Sequence, residues 1–540
     1  MSALPEALRE RYYAQGHWRR EDLWESFDAV FRRQALATAF VDGGRGITFG
    51  ELKGQAERFA RALRAQGVLP GDVVVVQGRH CIESVVAIAA CACAGVVVAL
   101  LPHIFSAEQI GAVLDSSGAR ALIALGEEPE VRRAASAGAS RALAAFIIGD
   151  SLSAGVGSAA RRDWFTWQAF LERGGSAPAE RESRSADDPV LLLFSSGTTG
   201  EPKGVMHSAN TVRFTVETYA RCQDIGATDV SLVVTAFGFV GSSILGTYLT
   251  FLCGCRSVLQ RTWNADEALA LVARHRVTHF LLMPTHAIDM LSSARLDATD
   301  CSSVSRGVVA GLGEQERLDA RRRLCARPYP MYGMSESPGH VTGCTHDEWN
   351  DLRTTEGRPL PGTELLVCDD EDRPLPAGSH GNVLVRGPNR FLGYYRNESL
   401  NRDCLTEDGF FRTGDIGVLE ANGCFTYVSR SKDIIRRGGI TVTPAEVEAA
   451  LRPHPRLADV AVIALPDSRL GERACACVIT RDGREITLAE LTAFLEARGF
   501  ARYQWPEHVA LCESFPRTPS LKVQKHELRK QILARLQGPA

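Results

Sequence analysis

Lysine is what this sequence is short of. Six of its 61 basic residues are lysines, at positions 53, 203, 432, 522, 525 and 530, and the rest are arginines. A lysine retained in such a chain is worth following, because a compact ammonium on a flexible stem suits phosphate neutralisation and is not interchangeable with a planar guanidinium. A strong charge of either sign is missing too, since 64 acidic residues leave a formal net charge of −3. That argues against a nucleic-acid partner, which needs clustered positive charge. An apolar leader is missing as well: MSALPEALRERYYAQGHWRRED is charged throughout, which predicts a cytoplasmic protein. The 15 cysteines are scattered and never spaced Cys-x-x-Cys, so neither a disulfide framework nor a zinc site is expected. Cys91-Ala-Cys93, Cys253-Gly-Cys255 and Cys475-Ala-Cys477 read as small core residues. The longest apolar run, Val85 to Leu101, is divided by Gly95 and ended by Pro102. It predicts a buried helix turning into a buried parallel strand and no membrane span.

A hydrophobic share of 45% and a charged share of 23% over 540 residues describe a globular chain of two or more domains. The first half alternates amphipathic helices with apolar strands. ITFGELKGQAERFARALRAQG opens with a strand and a Thr48/Glu51 capping box, and DVVVVQG, VVVALL and RALIAL read as strands buried on both faces. This βαβ arithmetic predicts an α/β fold of doubly wound sheets, with a second run from VSLVVTAF to THFLLMP. From about residue 357 the texture changes to short strands between acidic and Pro/Gly turns, a β-rich subdomain. After RSKDIIRRGG a compact α+β pattern begins. The expected division is an N-terminal domain over 1–431, with the β-rich part at about 357–431, and a small mobile domain over 432–540.

One stretch concentrates the chemistry: LLLFSSGTTGEPKGV, residues 191–205. A buried strand delivers Ser195, Ser196, Gly197, Thr198, Thr199 and Gly200 into a turn, where backbone N–H and hydroxyl groups can cradle phosphate oxygens. Lys203 adds a charge. The P-loop NTPase motif is excluded, because it places Ser or Thr directly after its lysine and here Gly204 follows.

Together with a series of motifs downstream, this run resembles the phosphate loop of the adenylate-forming (ANL) superfamily, which includes acyl-CoA ligases, luciferases and peptide-synthetase adenylation domains. The downstream matches come in family order: MYGMSES at 331–337, GRPLPGTE at 357–364, FFRTGDIG at 410–417, SRSKDIIRRGG at 429–439 and PRTPSLKVQKHELR at 516–529. The resemblance covers nearly the whole chain. It implies ATP, Mg2+ and, as co-substrate, CoA.

The resemblance also implies roles. Ser195 to Gly200 and Lys203 would hold the leaving pyrophosphate. Tyr332 would stack on adenine, with Gly333 and Ser335 in the same motif, and Glu336 would hold magnesium. Gly311 resembles the adenine-side loop and also borders the acid. Asp415 would bind the ribose hydroxyls, two acceptor oxygens suiting a vicinal diol, and Arg430 would add a ribose or phosphate contact. Lys522 resembles the lysine that bridges the carboxylate and the α-phosphate, although Leu521 stands where glycine is usual. Lys432 resembles the hinge of the small domain, and Gly438 and Gly439 border the thiol tunnel. Lys522, Lys203 and Glu336 form the expected catalytic set.

The acid pocket departs furthest from the family pattern. Phe239 stands where many relatives carry histidine, with Val240, Gly311 and Met334 as further lining. TAFGFVGSS holds no acidic residue to bind an α-amine, so an apolar aryl, alicyclic or medium-chain acid is expected. The leading reading is an AMP-forming acid–CoA ligase. The alternative is a stand-alone adenylating enzyme that passes its acid to an external acyl carrier protein or a nitrogen acceptor, including diazotase-like use of nitrite.

Overall fold

The computed structural model describes residues 4–139, 141–149, 164–175, 183–196, 202–437, 440–517 and 523–537. Two compact units emerge, Met1–Glu364 with Val385–Phe411, and Leu365–Leu384 with Arg412–Ala540.

The first unit is built on two large sheets. An eight-stranded sheet runs in the spatial order Gly393–Tyr394, Pro202–Ser208, Pro189–Ser196, Val97–Pro102, Val73–Gly78, Ala121–Leu125, Ala145–Ile148 and Trp164–Thr166. From Pro189–Ser196 onward all neighbours are parallel, while the first two strands are antiparallel additions. Strand Val73–Gly78 is buried at every position. Val74 and Val76 join the cluster of helices Phe49–Ala65 and Ile82–Ala94, whereas Val73 and Val75 meet helices Ala107–Ser117 and Glu128–Gly138. Helices on both faces are the reason these strands show no polar alternation.

The expected capping box is present, with Thr48 Oγ1 accepting from Glu51 N at 3.2 Å and Glu51 Oε2 accepting from Thr48 N at 2.8 Å. The run 85–101 folds as expected: helix Ile82–Ala94 stops at Gly95, whose φ is 71°, and the buried strand Val97–Pro102 follows. Among the described residues no helix is long and apolar enough to cross a membrane. Cys91, Cys93, Cys255, Cys475 and Cys477 are buried, and Cys253 is half-buried.

The second large sheet has seven strands, in the order Pro328–Tyr329, Gly307–Val309, His279–Leu282, Val230–Val233, Arg256–Leu259, Thr38–Asp42 and Arg45–Thr48. A three-stranded sheet of Met331–Met334, Ser337–Thr342 and Arg358–Pro359 lies in the same unit.

The second unit contains most of a four-stranded sheet of Glu364–Cys368, His380–Arg386, Phe411–Leu419 and Phe425–Arg430, and a five-stranded sheet centred on the hairpin Leu457–Asp467 and Gly471–Thr480. That hairpin has two buried faces. Val460, Val462, Ala476 and Val478 pack with Val447, Leu451, Leu491 and Leu495, while Ile463, Cys475 and Cys477 pack with Leu528 and Ile532 of helix Lys525–Gln537. The α+β pattern expected after residue 432 is therefore present.

Candidate active site

Strands Pro189–Ser196 and Pro202–Ser208 form an antiparallel hairpin, with Ser195 opposite Lys203 and Ser196 opposite Pro202. Pro202 thus opens a strand. Gly197, Thr198, Thr199 and Gly200, between the two strands, lie outside the described residues, as do Gly438, Gly439 and Lys522.

Across the outer strand of that hairpin lies the segment 389–395. Leu392 N donates to Met206 O at 2.7 Å and Tyr395 N to Gly204 O at 2.8 Å. This backbone pairing delivers Tyr394 to the site. Its phenol donates to Glu336 Oε1 at 2.7 Å, and Lys203 Nζ lies 6.0 Å from its ring centroid. Lys203 and Glu336 are thus brought to one aromatic side chain that the motifs did not single out. Asn401 fixes Tyr394 in turn, accepting from its N–H at 2.6 Å and donating to its carbonyl at 3.0 Å.

The turn bearing Glu336 is held from several sides. Phe391 N donates to Glu336 O at 2.8 Å, and Asn389 Nδ2 donates to Pro338 O at 3.4 Å. His207, fully buried, contacts Ser335 O through Nε2 at 2.8 Å and Thr211 Oγ1 through Nδ1 at 3.2 Å. Burial pushes its pKa down to about 4, so it is neutral here, with the Nε2 proton aimed at Ser335 O. Ser335 keeps its place through a histidine near the end of the hairpin's second strand, a signal present in MHSANT but without a spacing rule to flag it.

Tyr332 sits on strand Met331–Met334, opposite Val341, and the register slips between Tyr332 and Met334. Gly333 occupies the slip. A Cβ there would fall 2.4 Å from Gly339 N, so only glycine lets the two strands approach. The Tyr332 ring meets His340 edge-on, with centroids 4.7 Å apart.

Gly311 lies in the turn between strand Gly307–Val309 and helix Glu314–Arg323. Phe239 is half-buried ahead of the short helix Val240–Ser242. Its carbonyl accepts from Ser243 N at 2.8 Å and from Ser242 Oγ at 3.0 Å. Gly238 before it has a φ of 86°, a conformation that favours glycine. A π-helical turn, Ser243–Thr247, comes next, the kind of insertion often found at functional sites. Val240 and Met334 are half-buried at the edge of one apolar cluster, together with Met283 and Ala310.

The nucleotide-binding candidates of the second unit form their own group. Asp415 and Arg430 are paired across antiparallel strands, and Arg430 Nε lies 2.8 Å from Asp415 Oδ1. The Asp415 carboxylate is 1% exposed. Thr413 braces it, accepting from Asp415 N at 3.1 Å and donating to Val383 O at 2.8 Å. Lys432 is exposed in the 3-10 turn Ser431–Asp433.

Lys203 and the fixed carboxylate of Glu336 thus meet at one ring, that of Tyr394, a set of side chains that could hold an anionic ligand and a cation. Known proteins resemble the chain over nearly its whole length. The family model described as AMP-binding enzyme matches residues 27–395, and the AMP-binding enzyme C-terminal domain matches residues 446–522. The chain is 30% identical to a medium-chain fatty-acid–CoA ligase of Escherichia coli, over 98% of this chain and 94% of that one. It is 30% identical to a salicyl-AMP ligase / salicyl-S-ArCP synthetase of Mycobacterium tuberculosis, over 96% of this chain and 92% of that one. A benzoate CoA ligase structure from Burkholderia xenovorans superposes with a TM-score of 0.81 at 25% identity, covering 93% of this chain and 99% of that one.

Proposed function

Because the chain belongs to the AMP-binding enzyme family, we propose that it is an AMP-forming acid–thiol ligase acting on an apolar carboxylic acid. The observation that carries this reading is the convergence of Lys203, Tyr394 and Glu336 beside the phosphate hairpin. In the first half-reaction a carboxylate oxygen attacks the α-phosphorus of ATP. The bond from that phosphorus to its bridging oxygen breaks, and pyrophosphate leaves with the electron pair. In the second, a thiolate sulfur attacks the acyl carbonyl and AMP departs.

The chain's own residues meet the charge that develops. Lys203 neutralises the leaving phosphates, a fixed charge set against the charge that develops. Asp415 accepts from the ribose hydroxyls, and Arg430 holds that carboxylate in place. Lys522 neutralises the α-phosphate and the incoming carboxylate. A site of one carboxylate plus substrate phosphates suits Mg2+, and Glu336, oriented by Tyr394 and by the backbone bond from Phe391, would hold it. When bound, the ion supplies positive charge to the phosphate oxygens.

CoA is the proposed acceptor, entering past Gly438 and Gly439 as the domain beyond residue 431 turns about Lys432. The similarity to a salicyl-AMP ligase / salicyl-S-ArCP synthetase supports a second reading, in which an external carrier protein takes the acyl group. A cytoplasmic location suits either acceptor. The deciding experiment is acid-dependent pyrophosphate release across a panel of aryl, alicyclic and medium-chain acids, with CoA present and then omitted. CoA-dependent thioester formation supports the first reading. Adenylate formation that CoA leaves untouched supports the second, and no acid-dependent release at all overturns both.

A further inference from the structure

The loop after strand Ser337–Thr342 reads Gly343-Cys344-Thr345-His346-Asp347. It closes on itself: Asp347 N donates to Cys344 O at 3.0 Å, and Cys344 N donates to Asp347 Oδ2 at 2.7 Å. The turn brings Cys344 Sγ, a ring nitrogen of His346 and a carboxylate oxygen of Asp347 within 4.8 Å of one another. Helix Ala209–Gln223 ends at the same place. Cys222, in its last turn, packs with Cys344 and Leu360 in one buried cluster. Thr345 N donates to the Cys222 carbonyl at 2.9 Å.

We propose that Cys222, Cys344, His346 and Asp347 bind a thiophilic divalent cation of the zinc type, which pins the end of this helix to the loop. Two sulfurs, an imidazole and a carboxylate are a tetrahedral zinc donor set. Ligand bonds of about 2.0–2.3 Å put the donor atoms of a tetrahedral site roughly 3.3–3.8 Å apart. Cys344, His346 and Asp347, already within 4.8 Å of one another, close to that spacing by side-chain rotation, and Cys222 joins them from the helix end that packs against Cys344. His346, with its side chain 78% exposed, is free to make the largest rotation. Asp347 is 2% exposed and pairs with Arg358 Nη1 at 2.5 Å. A carboxylate has about four lone-pair positions, so Arg358 stays in place as the outer partner that orients it.

Binding is balanced by proton release: each thiol gives its proton to solvent as its sulfur bonds the ion. Cys222 and His346 both line a surface cavity of about 510 Å3, which gives the ion a way in. The helix begins directly after the strand that carries Lys203, and the loop continues the strand paired with Tyr332. The ion therefore ties together the far ends of two elements that build the nucleotide site, without entering the chemistry.

The test uses the full chain, reduced, stripped with chelator and titrated with Co2+ and then Zn2+. Expected are one Co2+ per chain with thiolate-to-cobalt charge-transfer absorption, its displacement by Zn2+, and a higher thermal midpoint in Zn2+. His346→Ala, at an exposed position, should weaken Co2+ binding by more than the roughly 10–100-fold that outer-partner changes cost, with acid-dependent pyrophosphate release retained. Cys222→Ser and Cys344→Ser should each reduce the charge-transfer band. Absence of that band in the parent protein overturns the site. So does a band that all three variants leave unchanged, because other cysteines would then be its source.

Discussion

The phenol of Tyr394 donates to Glu336 Oε1 at 2.7 Å, while its ring stands 6.0 Å from Lys203 Nζ. One side chain thus reaches both the carboxylate and the neighbourhood of the ammonium. Tyr394→Phe separates its two roles, since the ring stays and the hydroxyl goes. A hydrogen bond to a charged group contributes ~1.5–3 kcal/mol, so acid-dependent pyrophosphate exchange should fall about 10–100-fold, with a raised Mg2+ requirement. Exchange equal to the parent at every Mg2+ concentration would show that Tyr394 does not orient the metal ligand.

Lys203→Ala should cost more. Removing one preorganised charge contact costs ~2–4 kcal/mol of transition-state stabilisation, roughly 10²–10³ in rate. The loss should appear in ATP-dependent terms, measured by exchange at varied ATP. Unchanged ATP kinetics would take the hairpin out of the mechanism.

Buried histidines should make the fold sensitive to acid. Burial pushes His80, His207, His286 and His340 each down to about 4 from an ordinary value of 6.5. Their folded pKa values are depressed, so the unfolded chain binds more protons between the two limits. Their contribution to stability is complete above 6.5 and is lost as pH falls toward about 4. At about pH 5, unfolding should take up close to one proton per such histidine, read from the pH dependence of the urea-unfolding free energy. A flat profile across that window would mean these rings are already charged in the folded state.

Much of this is legible in the residues, and the limits have physical causes. Uninterrupted Val runs predict strands covered on both faces, because a parallel sheet hides both. Lys203 and Glu336 are singled out by their motifs, and the fold brings both to Tyr394. Tyr394 and His207 do not. Tyr394 reaches Glu336 across 58 residues of sequence, through a strand pairing that no local pattern encodes. His207 reads as an ordinary core histidine until the fold sets Ser335 O against it. The Cys222/Cys344 contact escapes for the same reason: zinc spacing rules recognise ligands close in sequence, and these come from separate elements.

Phe239 is the test of acid selection. If its half-buried ring borders the acid, Phe239→Ala enlarges the pocket and shifts preference toward bulkier acids. A methylene in an apolar pocket is worth ~1–3 kcal/mol, enough to reorder a substrate panel by kcat/KM. An unaltered order would place selection with Val240 and Met334 instead.

Lys522 and Lys432 separate the two half-reactions. On the proposed reading Lys522 serves adenylation alone, so Lys522→Ala should lose adenylate formation yet still convert supplied acyl-adenylate to thioester. Lys432 lies exposed in the turn Ser431–Asp433, where a change of φ and ψ would let the small domain rotate. Proline there fixes φ at about −65° and disfavours one of two orientations. Lys432→Pro should therefore keep pyrophosphate exchange and lose thioester formation. An enzyme that ends its work at the adenylate needs no second orientation, so the same pair of variants bears on the acceptor. Equal failure of both variants in both half-reactions, with folding intact by circular dichroism, would refute rotation about Lys432.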